Sequence, residues 1–573
     1  MIRIEQVKMS ISARPEELPG QICHILGIRP QELQDWKILR RSLDARKKPD
    51  LWYVYTLEAK VSGEAGVLKR AQKNNRNRDR IRLSERREYR LPAPGEQGME
   101  APPVIVGSGP AGLFCALVLA QNGYRPVLLE RGGSVEERTE AVRGFWESGR
   151  LDPECNVQFG EGGAGTFSDG KLNTLVKDPE GRARKVLEIF TRFGAEESIV
   201  YDAKPHLGTD VLTGIVRGMR EEIRALGGEV LFHSRVTDLV IRDGRVRGVV
   251  LEDGSQREAC AVVLACGHSA RDTFRMLEGH GIAMEPKAFA VGLRCEHPQK
   301  MINISQYGRA EAGTASAAAY KLTATASGGR GVFSFCMCPG GYVVNASSEE
   351  GMLAVNGMSY SGRSGDNANA AIVVTVTPDD YPGEGPLKGV LFQQELERRA
   401  FLLGEGKIPM QRYGAFRDEV LRQAKGPEAE DGSVLQQRAA GAVDPSGQTQ
   451  EGAADRETGR EILPQHKGAS VWCDITGVLP PAVNLALVEG MEQFGRKIPG
   501  FDRGDAILSA VESRTSSPVR VTRDDTLQAS IPGLYPIGEG PGYAGGITSA
   551  AMDGLRAAEQ LISVYAPFDA DGR

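Results

Sequence analysis

The segment VIVGSGPAGLFCALVLAQNGYRPVLLER (104–131) constrains the fold more than any other part of the chain. Gly107, Gly109 and Gly112 follow an apolar, strand-like run and precede a run of helix-forming residues. In this context the GxGxxG spacing predicts a dinucleotide-binding βαβ unit. Gly107 would make the tight turn, Gly109 would let the backbone approach a pyrophosphate, and Gly112 would let the helix pack on the strand.

The residues after this turn complete the predicted nucleotide site. Pro110 and Ala111 begin the helix, whose N-terminal amides favour a bound phosphate. Glu130 ends the next strand, 18 residues after Gly112, where a carboxylate accepts ribose hydroxyls. Because it would repel a 2′-phosphate, NADP is disfavoured at this site. We place the neighbouring Arg131 in the same predicted site.

Length and composition set the outer bounds. A chain of 573 residues is too long for one ordinary hydrophobic core, so two or three domains are expected. The net charge of −5 predicts no nucleic-acid or membrane partner for the molecule as a whole. No apolar run approaches about 18 residues, and the start, MIRIEQVKMS, lacks the apolar core of a signal peptide. Nine cysteines are expected to be reduced thiols in a cytoplasmic protein.

Residues 1–95 are predicted to form a small α+β module with a basic linker. A strand at 3–11, a helix at 15–28, two further strands and a helix at 64–74 follow from the hydrophobic periodicity. We interpret the basic segment 69–90 as a solvated helix and linker. The alternative is a docking patch for RNA or an acidic partner.

Further along the chain, the pattern predicts a helix at about 209–227 and an antiparallel meander over 236–267, joined by Asp-Gly turns. The segment 425–460 contains almost no large apolar residues. We expect it to be a mobile, disordered insertion.

Three segments resemble the signatures of flavoproteins of the glutathione reductase and fumarate reductase type. NVQFGEGGAGTFSDGKLN (156–173) resembles their glycine-rich loop, and AVVLACGHSA (261–270) resembles their strand-end signature. GLYPIGEG (533–540) resembles their C-terminal flavin signature, which normally ends in Gly-Asp. The resemblance implies FAD as the cofactor.

The resemblance also implies which residues contact FAD. Glu539 replaces the usual aspartate as acceptor of a ribitol hydrogen bond, with one extra methylene and a slightly shifted backbone. The helix that begins near Ile547 would point its N-terminus at the flavin, and Tyr543 would contact whatever lies over the ring. The implied cofactor residues beyond the first turn are Gly162, Gly163, Thr166, Asp169, Val236, Ala265, Gly267, Gly538, Glu539, Gly545, Gly546 and Ile547.

A longer set of motifs extends the resemblance across nearly the whole chain. GEGGAGTFSDGKL, KPHLGTD, ACGHSARDTF, VFSFCMCPGG, NGMSYSGR and GEGPGYAGG, in this order, are similar to a bacterial group of uncharacterised FAD-dependent dehydrogenases. This implies an α/β fold with a Rossmann-type FAD-binding domain. The domain would have a three-layer ββα arrangement and would be formed by two parts of the chain, 96–270 and 505–573. An inserted α+β substrate domain would occupy 271–504. The resemblance implies no particular substrate.

Cys336 and Cys338 are the most unusual feature of the predicted substrate domain. In an extended strand these two positions face the same side. The pair is therefore a candidate to present a thiolate near the flavin, as a nucleophile or a redox relay. The alternative is two small buried hydrophobic side chains. No second Cys/His pair stands at ligand spacing, so no metal site is predicted.

Other candidates carry charge or exchange protons. Lys171 is a candidate cation near the flavin N1–C2 carbonyl, or alternatively a salt-bridge partner of Asp169. His268 is a candidate proton donor, or a hydrogen-bonding residue at the domain crossing. The candidates for binding an anionic substrate are Arg294, Arg330 and Arg363. The alternative, and the commoner case, is that they are surface or scaffold arginines.

These features favour an FAD-dependent oxidoreductase that passes a hydride between flavin N5 and a small organic substrate. No second GxGxxG-strand unit, of the βαβ kind found at 104–131, appears after residue 131. A nicotinamide cofactor would therefore bind transiently in the substrate cleft, or a protein would donate the electrons. The alternatives are a flavin monooxygenase or halogenase, although LEDG (251–254) is better explained as a hairpin turn, and a flavoprotein docked to RNA or protein through its N-terminal module.

Overall fold

The computed structural model describes residues 1–73, 79–85, 88–313, 315–425 and 461–568. The expected mobile insertion at 425–460 lies, apart from its first residue, outside these ranges. The helices are α1 (Leu18–Leu26), α2 (Glu64–Gln72), α3 (Pro110–Gln121), α4 (Val135–Ser148), α5 (Arg182–Arg192), α6 (Thr209–Ala225), α7 (Arg271–Gly279), α8 (Gln299–Tyr307), α9 (Lys388–Gly404), α10 (Tyr413–Lys425), α11 (Pro481–Lys497) and α12 (Ile547–Val564).

The strands extend over the whole described chain. They are β1 (Ile2–Ser10), β2 (Leu33–Lys47), β3 (Asp50–Val61), β4 (Ile81–Leu83), β5 (Val104–Val106), β6 (Val127–Leu129), β7 (Glu229–Leu231), β8 (Val236–Arg242), β9 (Arg245–Leu251), β10 (Gln256–Glu258), β11 (Val262–Leu264), β12 (Met284–Pro286), β13 (Phe289–Pro298), β14 (Thr323–Thr325), β15 (Gly331–Cys338), β16 (Tyr342–Asn345), β17 (Val355–Met358), β18 (Asn367–Val376), β19 (Ile408–Arg412), β20 (His466–Lys467), β21 (Ser470–Trp472), β22 (Ile507–Glu512), β23 (Val519–Val521) and β24 (Leu534–Pro536).

The N-terminal module has the element order βαββαβ, with its sheet in the order β2-β3-β1-β4. Alternate residues of β1 and β3, such as Ile4 and Leu57, are buried under α1 and α2. The predicted strands and helices are present. The interpretation of 69–90 as helix and linker is wrong at β4, because Ile81 pairs with Ile4 and is fully buried in the sheet.

The nucleotide-type domain has a parallel sheet in the order β24-β11-β5-β6-β7. Ile105 and Val263 face one side of it, where α3, α5, α6 and α12 pack. Val104 and Leu264 face the other side, against β8, β9 and α7. The antiparallel strands, the parallel sheet and the helices therefore form the three-layer ββα arrangement of a Rossmann-type FAD-binding domain, as predicted.

The predicted meander is shorter than expected. Strands β8, β9 and β10 form a three-stranded antiparallel sheet, but β11 leaves it and pairs in parallel with β5 and β24. The prediction for 236–267 is therefore wrong at its last strand. Val262, Val263 and Leu264 are all buried, as expected for a central strand of a parallel sheet that is covered on both faces.

The inserted domain is built on a seven-stranded sheet in the order β14-β15-β18-β13-β22-β19-β21. The boundary between the inserted domain and the C-terminal part of the FAD-binding domain was expected after residue 504. It is wrong, because β22 lies beyond it and still pairs with β13 and β19 of the inserted domain. After β22 the chain also forms β23, which pairs with β12. The crossing back to the parallel sheet therefore lies later than predicted.

The N-terminal module is joined to both other parts through its β2–β3 hairpin. Arg41 forms a two-point ion pair with Asp202, at 2.6 and 2.8 Å, and its guanidinium lies over the rings of Tyr53 and Tyr201. Leu51 is buried in the core of the inserted domain. Within the ranges described above, no helix is both long enough and apolar enough to cross a membrane.

Candidate functional site

The predicted motifs meet at the carboxyl edge of the parallel sheet. Gly107 N donates to Leu129 O at 2.7 Å, and Ala265 N donates to Val106 O at 2.8 Å. Ile537 N donates to Leu264 O at 3.0 Å. These bonds bring the turns after β5, β6, β11 and β24 around one cavity of about 360 Å³. Ligands of open α/β sheets bind at this edge.

The first turn and its helix are tightly packed. Gly107 has φ +101°, and a Cβ there would lie 2.5 Å from Ala265 O. A Cβ at Gly112 would lie 1.9 Å from Gly107 O. Only glycine fits these two positions, because the backbone after β11 lies against Gly107 and the backbone of Gly107 lies against α3.

Other glycines at the cavity face open space. A Cβ on Gly267, Gly545 or Gly546 would meet no atom within 4 Å, and one on Gly109 would come no nearer than 3.8 Å to Gly163. Gly109 and Gly546 are the residues immediately before α3 and α12. Both helices therefore present bare N-terminal backbone to the cavity, which suits the negative and polar groups of a dinucleotide.

The carboxylate of Glu130 is buried at the cavity wall and already accepts hydrogen bonds. Its Oε2 accepts from Ser108 N at 2.9 Å and Ser108 Oγ at 2.7 Å. Its Oε1 accepts from Gly132 N and Gly160 N, each at 3.0 Å. Three of these four donors are fixed backbone amides, and the Ser108 hydroxyl is the one that can rotate.

Arg131 lies at the same end of the cavity. Its guanidinium pairs with Glu154 at 2.9 Å and Asp272 at 3.1 Å, and it lies 4.1 Å from the centroid of the Phe159 ring. The side chain therefore forms a rigid, flat wall.

A buried arginine that the sequence did not single out holds the glycine-rich loop. Arg138 in α4 donates to five backbone carbonyls of this loop, at 2.8–3.4 Å. Burial lowers the pKa of Arg138 to about 10. The acceptors are the carbonyl oxygens of Asn156, Val157, Gly160, Glu161 and Gly163.

His268 and Glu539 lie side by side on one wall of the cavity. His268 Nδ1 lies 3.7 Å from Glu539 Oε1. His268 is buried, and its Nε2 has no hydrogen-bond partner among the described residues. Tyr543 does not line the cavity, contrary to expectation; its ring lies beneath the guanidiniums of Arg523 and Arg520, at 3.8 and 5.1 Å.

Most predicted cofactor residues line the cavity, but Gly112, Gly162, Thr166 and Asp169 do not. Gly162 N donates to Ser108 O at 2.9 Å. The predicted residues that line it are Gly107, Gly109, Pro110, Ala111, Glu130, Arg131, Gly163, Val236, Ala265, Gly267, Gly538, Glu539, Gly545, Gly546 and Ile547, together with Lys171, His268 and Cys336.

Lys171 and Asp169 form an ion pair of 3.4 Å. Lys171 was predicted either to place a cation near the flavin or to pair with Asp169. It lines the cavity and also pairs with Asp169. In addition, it donates a hydrogen bond to Met337 O. Asp169 is fully buried and pairs with Arg363 at 3.1 Å. Asp169 therefore holds one cation that lines the cavity, Lys171, and one that does not, Arg363.

The cysteine pair does not lie on a regular strand. Phe335 is opposite Ala371 and Cys338 is opposite Asn369, so one extra residue is inserted in β15. Cys336 has φ +41° within this bulge. The same-face argument is therefore wrong. Cys336 is partly exposed at the cavity, and Cys338 is fully buried and does not line it.

Glu512 and Arg514 of the inserted domain line the cavity and were missed. Burial raises the pKa of Glu512 to about 7, and its Oε2 accepts from Arg294 Nε at 3.0 Å. Arg514 forms a buried two-point pair with Glu397, at 2.9 and 2.7 Å. No local motif marks either residue, because both reach the cavity only through long-range pairing of β22.

The three arginines predicted for anion binding do not line the cavity. Arg294 is fully buried between Glu512 and Asn369, and Arg330 pairs with Asp380. Arg363 pairs with Asp169. Among the described residues, no group of three or more His, Cys, Asp or Glu side chains is placed to hold a metal ion.

Four family models match the chain. The model of an FAD-dependent protein, C-terminal domain-like, matches residues 288–440 and 446–515. The FAD dependent oxidoreductase model matches 213–315, and the NAD(P)-binding Rossmann-like domain model matches 105–143. A domain of unknown function, DUF8436, matches residues 1–60.

Individual proteins resemble the chain over different lengths. An uncharacterised protein of Clostridium beijerinckii is 42% identical over 98% of this chain and 99% of its own. Protein FixC of Salmonella typhi is 29% identical over 35% of this chain and 44% of its own. A structure of E. coli quinol fumarate reductase FrdA is 14% identical, with a TM-score of 0.32, over 81% of this chain and 70% of that one.

Proposed function

The chain belongs to the family of the Clostridium beijerinckii protein and is an FAD-dependent oxidoreductase, and on this premise we propose that it transfers a hydride between bound FAD and a small organic substrate held by the inserted domain. One observation carries the proposal. A single cavity is lined both by the turns of the parallel sheet and by residues of the inserted domain, among them Cys336, Asn356 and Glu512.

The bare helix N-termini support the assignment of the cofactor. Gly109 and the start of α3 would hold the pyrophosphate, with Glu130 towards the ribose. Gly545, Gly546 and Glu539 would hold the ribitol and the flavin end. When bound, FAD supplies a centre that accepts or gives up two electrons.

Glu512 is the residue best suited to hold and release a proton at the substrate end. Its pKa of about 7 means that both protonation states are populated near neutral pH, as general acid–base groups require. Arg294 Nε, at 3.0 Å from Oε2, fixes the orientation of the carboxyl group. His268 Nε2, which is buried and without a partner, is a second group able to bind a polar atom of the ligand.

The substrate side of the cavity favours a small, partly polar molecule. Phe335, Ala354 and Val355 provide apolar surface, and Asn356 and Thr515 provide hydrogen-bonding groups. Among the described residues, the GxGxxG turn at Gly107 is the one that is followed directly by a helix and then by a neighbouring parallel strand, in the unit β5–α3–β6. We therefore assign electron donation to transient NAD(P)H or to a partner protein.

Anaerobic stopped-flow absorbance of the FAD-loaded protein tests the proposal. NADH, NADPH and reduced ferredoxin are offered in turn, and one of them should bleach the flavin absorbance. Reoxidation should then be driven by an organic acceptor more rapidly than by air, and Glu512→Gln should slow that step at least tenfold. Reoxidation by oxygen alone, with a hydroxylated product, would favour a monooxygenase instead.

A further inference from the structure

The two cysteines of the β15 bulge are arranged as an accessible thiol in front of a buried one. Cys336 lines the cavity and Cys338 does not. Cys338 Sγ lies 3.2 Å from the carbonyl oxygen of Cys336. The bulge, with Cys336 in the left-handed region, turns the first side chain to the cavity and keeps the second directly behind it.

The surrounding charges separate the two thiols chemically. A hydrogen bond from Cys338 and the charges of Lys171 and Arg294 lower the pKa of Cys336 below its ordinary value, although burial and the charge of Asp169 act in the opposite direction. Burial raises the pKa of Cys338. Arg294 Nη1 donates to Cys336 O at 3.0 Å and lies 3.7 Å from Cys338 Sγ. Cys336 is therefore the nucleophilic thiolate, and Cys338 is the protonated thiol beside it.

We propose that Cys336 and Cys338 form a redox-active dithiol that reduces a small disulfide bound in the cavity. The proposal deepens the proposed function and rests on it, since the cavity must also hold FAD. A single nucleophile would have no need of a second thiol within reach, whereas thiol–disulfide exchange requires an attacking and a resolving sulfur. His268, with its unpartnered Nε2 at the same cavity, is placed to bind a polar group of the disulfide.

The exchange balances in two steps. The Cys336 thiolate attacks one substrate sulfur, and the substrate S–S bond breaks. The other half of the substrate departs as a thiolate, and a mixed disulfide remains on Cys336. Cys338 then attacks Cys336 Sγ, its proton is lost to the departing group, and the second substrate half leaves as a thiol. The substrate gains two electrons, and the protein gains a Cys336–Cys338 disulfide. Bound FAD, once reduced, would supply the two electrons that reopen the Cys336–Cys338 disulfide and restore the dithiol.

Anaerobic dithionite titration of the FAD-loaded protein tests the proposal. The protein is first treated with hydroxyethyl disulfide, and the excess is removed. Wild type should then take up about four electrons per FAD, two for the cofactor and two for the protein disulfide. Cys336→Ser should take up about two. Cys338→Ser should still take up about four, because the mixed disulfide that stays on Cys336 also accepts two electrons. Cys473→Ser removes a partly exposed thiol elsewhere and should match wild type.

Mass spectrometry gives a second readout that does not depend on turnover. Treated wild type should show Cys336 and Cys338 joined and protected from alkylation. Cys338→Ser should instead trap a mercaptoethanol adduct on Cys336. Uptake of about two electrons by wild type, with both thiols still alkylated, would overturn the dithiol. Failure to bind FAD, or bound flavin that no donor reduces, would instead defeat the proposed function.

Discussion

His268 Nδ1 lies 3.7 Å from Glu539 Oε1, which joins the turn after β11 to the turn after β24. These strands are neighbours in the parallel sheet, with Leu264 opposite Pro536, so two sequence motifs about 270 residues apart form one wall. The Glu539 carboxylate and the unpartnered His268 Nε2 are together the polar groups of this wall that a ligand would satisfy.

Glu539 should contribute a hydrogen bond to FAD. We expect Glu539→Ala to weaken FAD binding about tenfold, or about 1.4 kcal/mol, because a hydrogen bond to a charged acceptor is lost. Glu539→Asp should retain most of the affinity. Quenching of flavin fluorescence on titration of the apoprotein measures both dissociation constants. An Ala variant that binds FAD like wild type would exclude the ribitol role.

Gly546 should be required by the ligand and not by the fold. Its φ of 163° is extended backbone, and its Cβ would meet no atom within 4 Å. Gly546→Ala should therefore leave the melting temperature of the apoprotein unchanged and weaken FAD binding at least tenfold. Gly144→Ala, in α4 and equally uncrowded, should leave FAD binding unchanged. Equal affinities for both variants would show that no ligand approaches Gly546.

Arg138 should stabilise the glycine-rich loop through its shape as well as its charge. Lysine offers three donors from a single nitrogen, whereas the arginine fork reaches five carbonyl oxygens. Arg138→Lys should cost about 3 kcal/mol of stability and weaken FAD binding. Arg143→Lys, on the exposed side of the same helix, is the control and should change neither. Thermal unfolding with and without FAD separates the two effects; a melting temperature equal to that of the control would contradict the account.

Much of the site was predictable from sequence because its signals are local. The glycine spacing near Gly107 and the motif around Glu539 mark turns, and the backbone conformation of a turn is set by residues that are close in the sequence. The course of β11 and β22 was not predictable in this way, since a short buried strand carries no mark of its partner. Glu512 was missed for the same reason: only the pairing of β22 with β13 brings it to the cavity.

His206 should make the protein less stable in mild acid. Burial, and then the charge of Arg363, lower the pKa of His206 to about 4 in the folded chain. As the pH falls, His206 is therefore protonated in the unfolded chain before it is protonated in the folded chain. The stability due to neutral His206 is full above about pH 6.5 and is lost as the pH falls towards 4. His206→Gln should therefore lose less of its melting temperature than wild type between pH 7 and pH 5.

The exposed His24 provides the control for this measurement. His24→Gln should follow the wild-type profile. His297, whose pKa burial also lowers to about 4, should preserve part of the acid sensitivity in the His206 variant. Parallel profiles for wild type and His206→Gln would show that His206 does not titrate in this range.

Hydrogen–deuterium exchange with and without saturating FAD tests most directly whether the four turns together hold the cofactor. We expect slower exchange in 104–112, 156–165, 264–270 and 537–550, at one FAD per chain, with no change in peptides from β1 and β3. Saturation with FAD that leaves these four segments unchanged, or protects only other segments, would contradict this expectation.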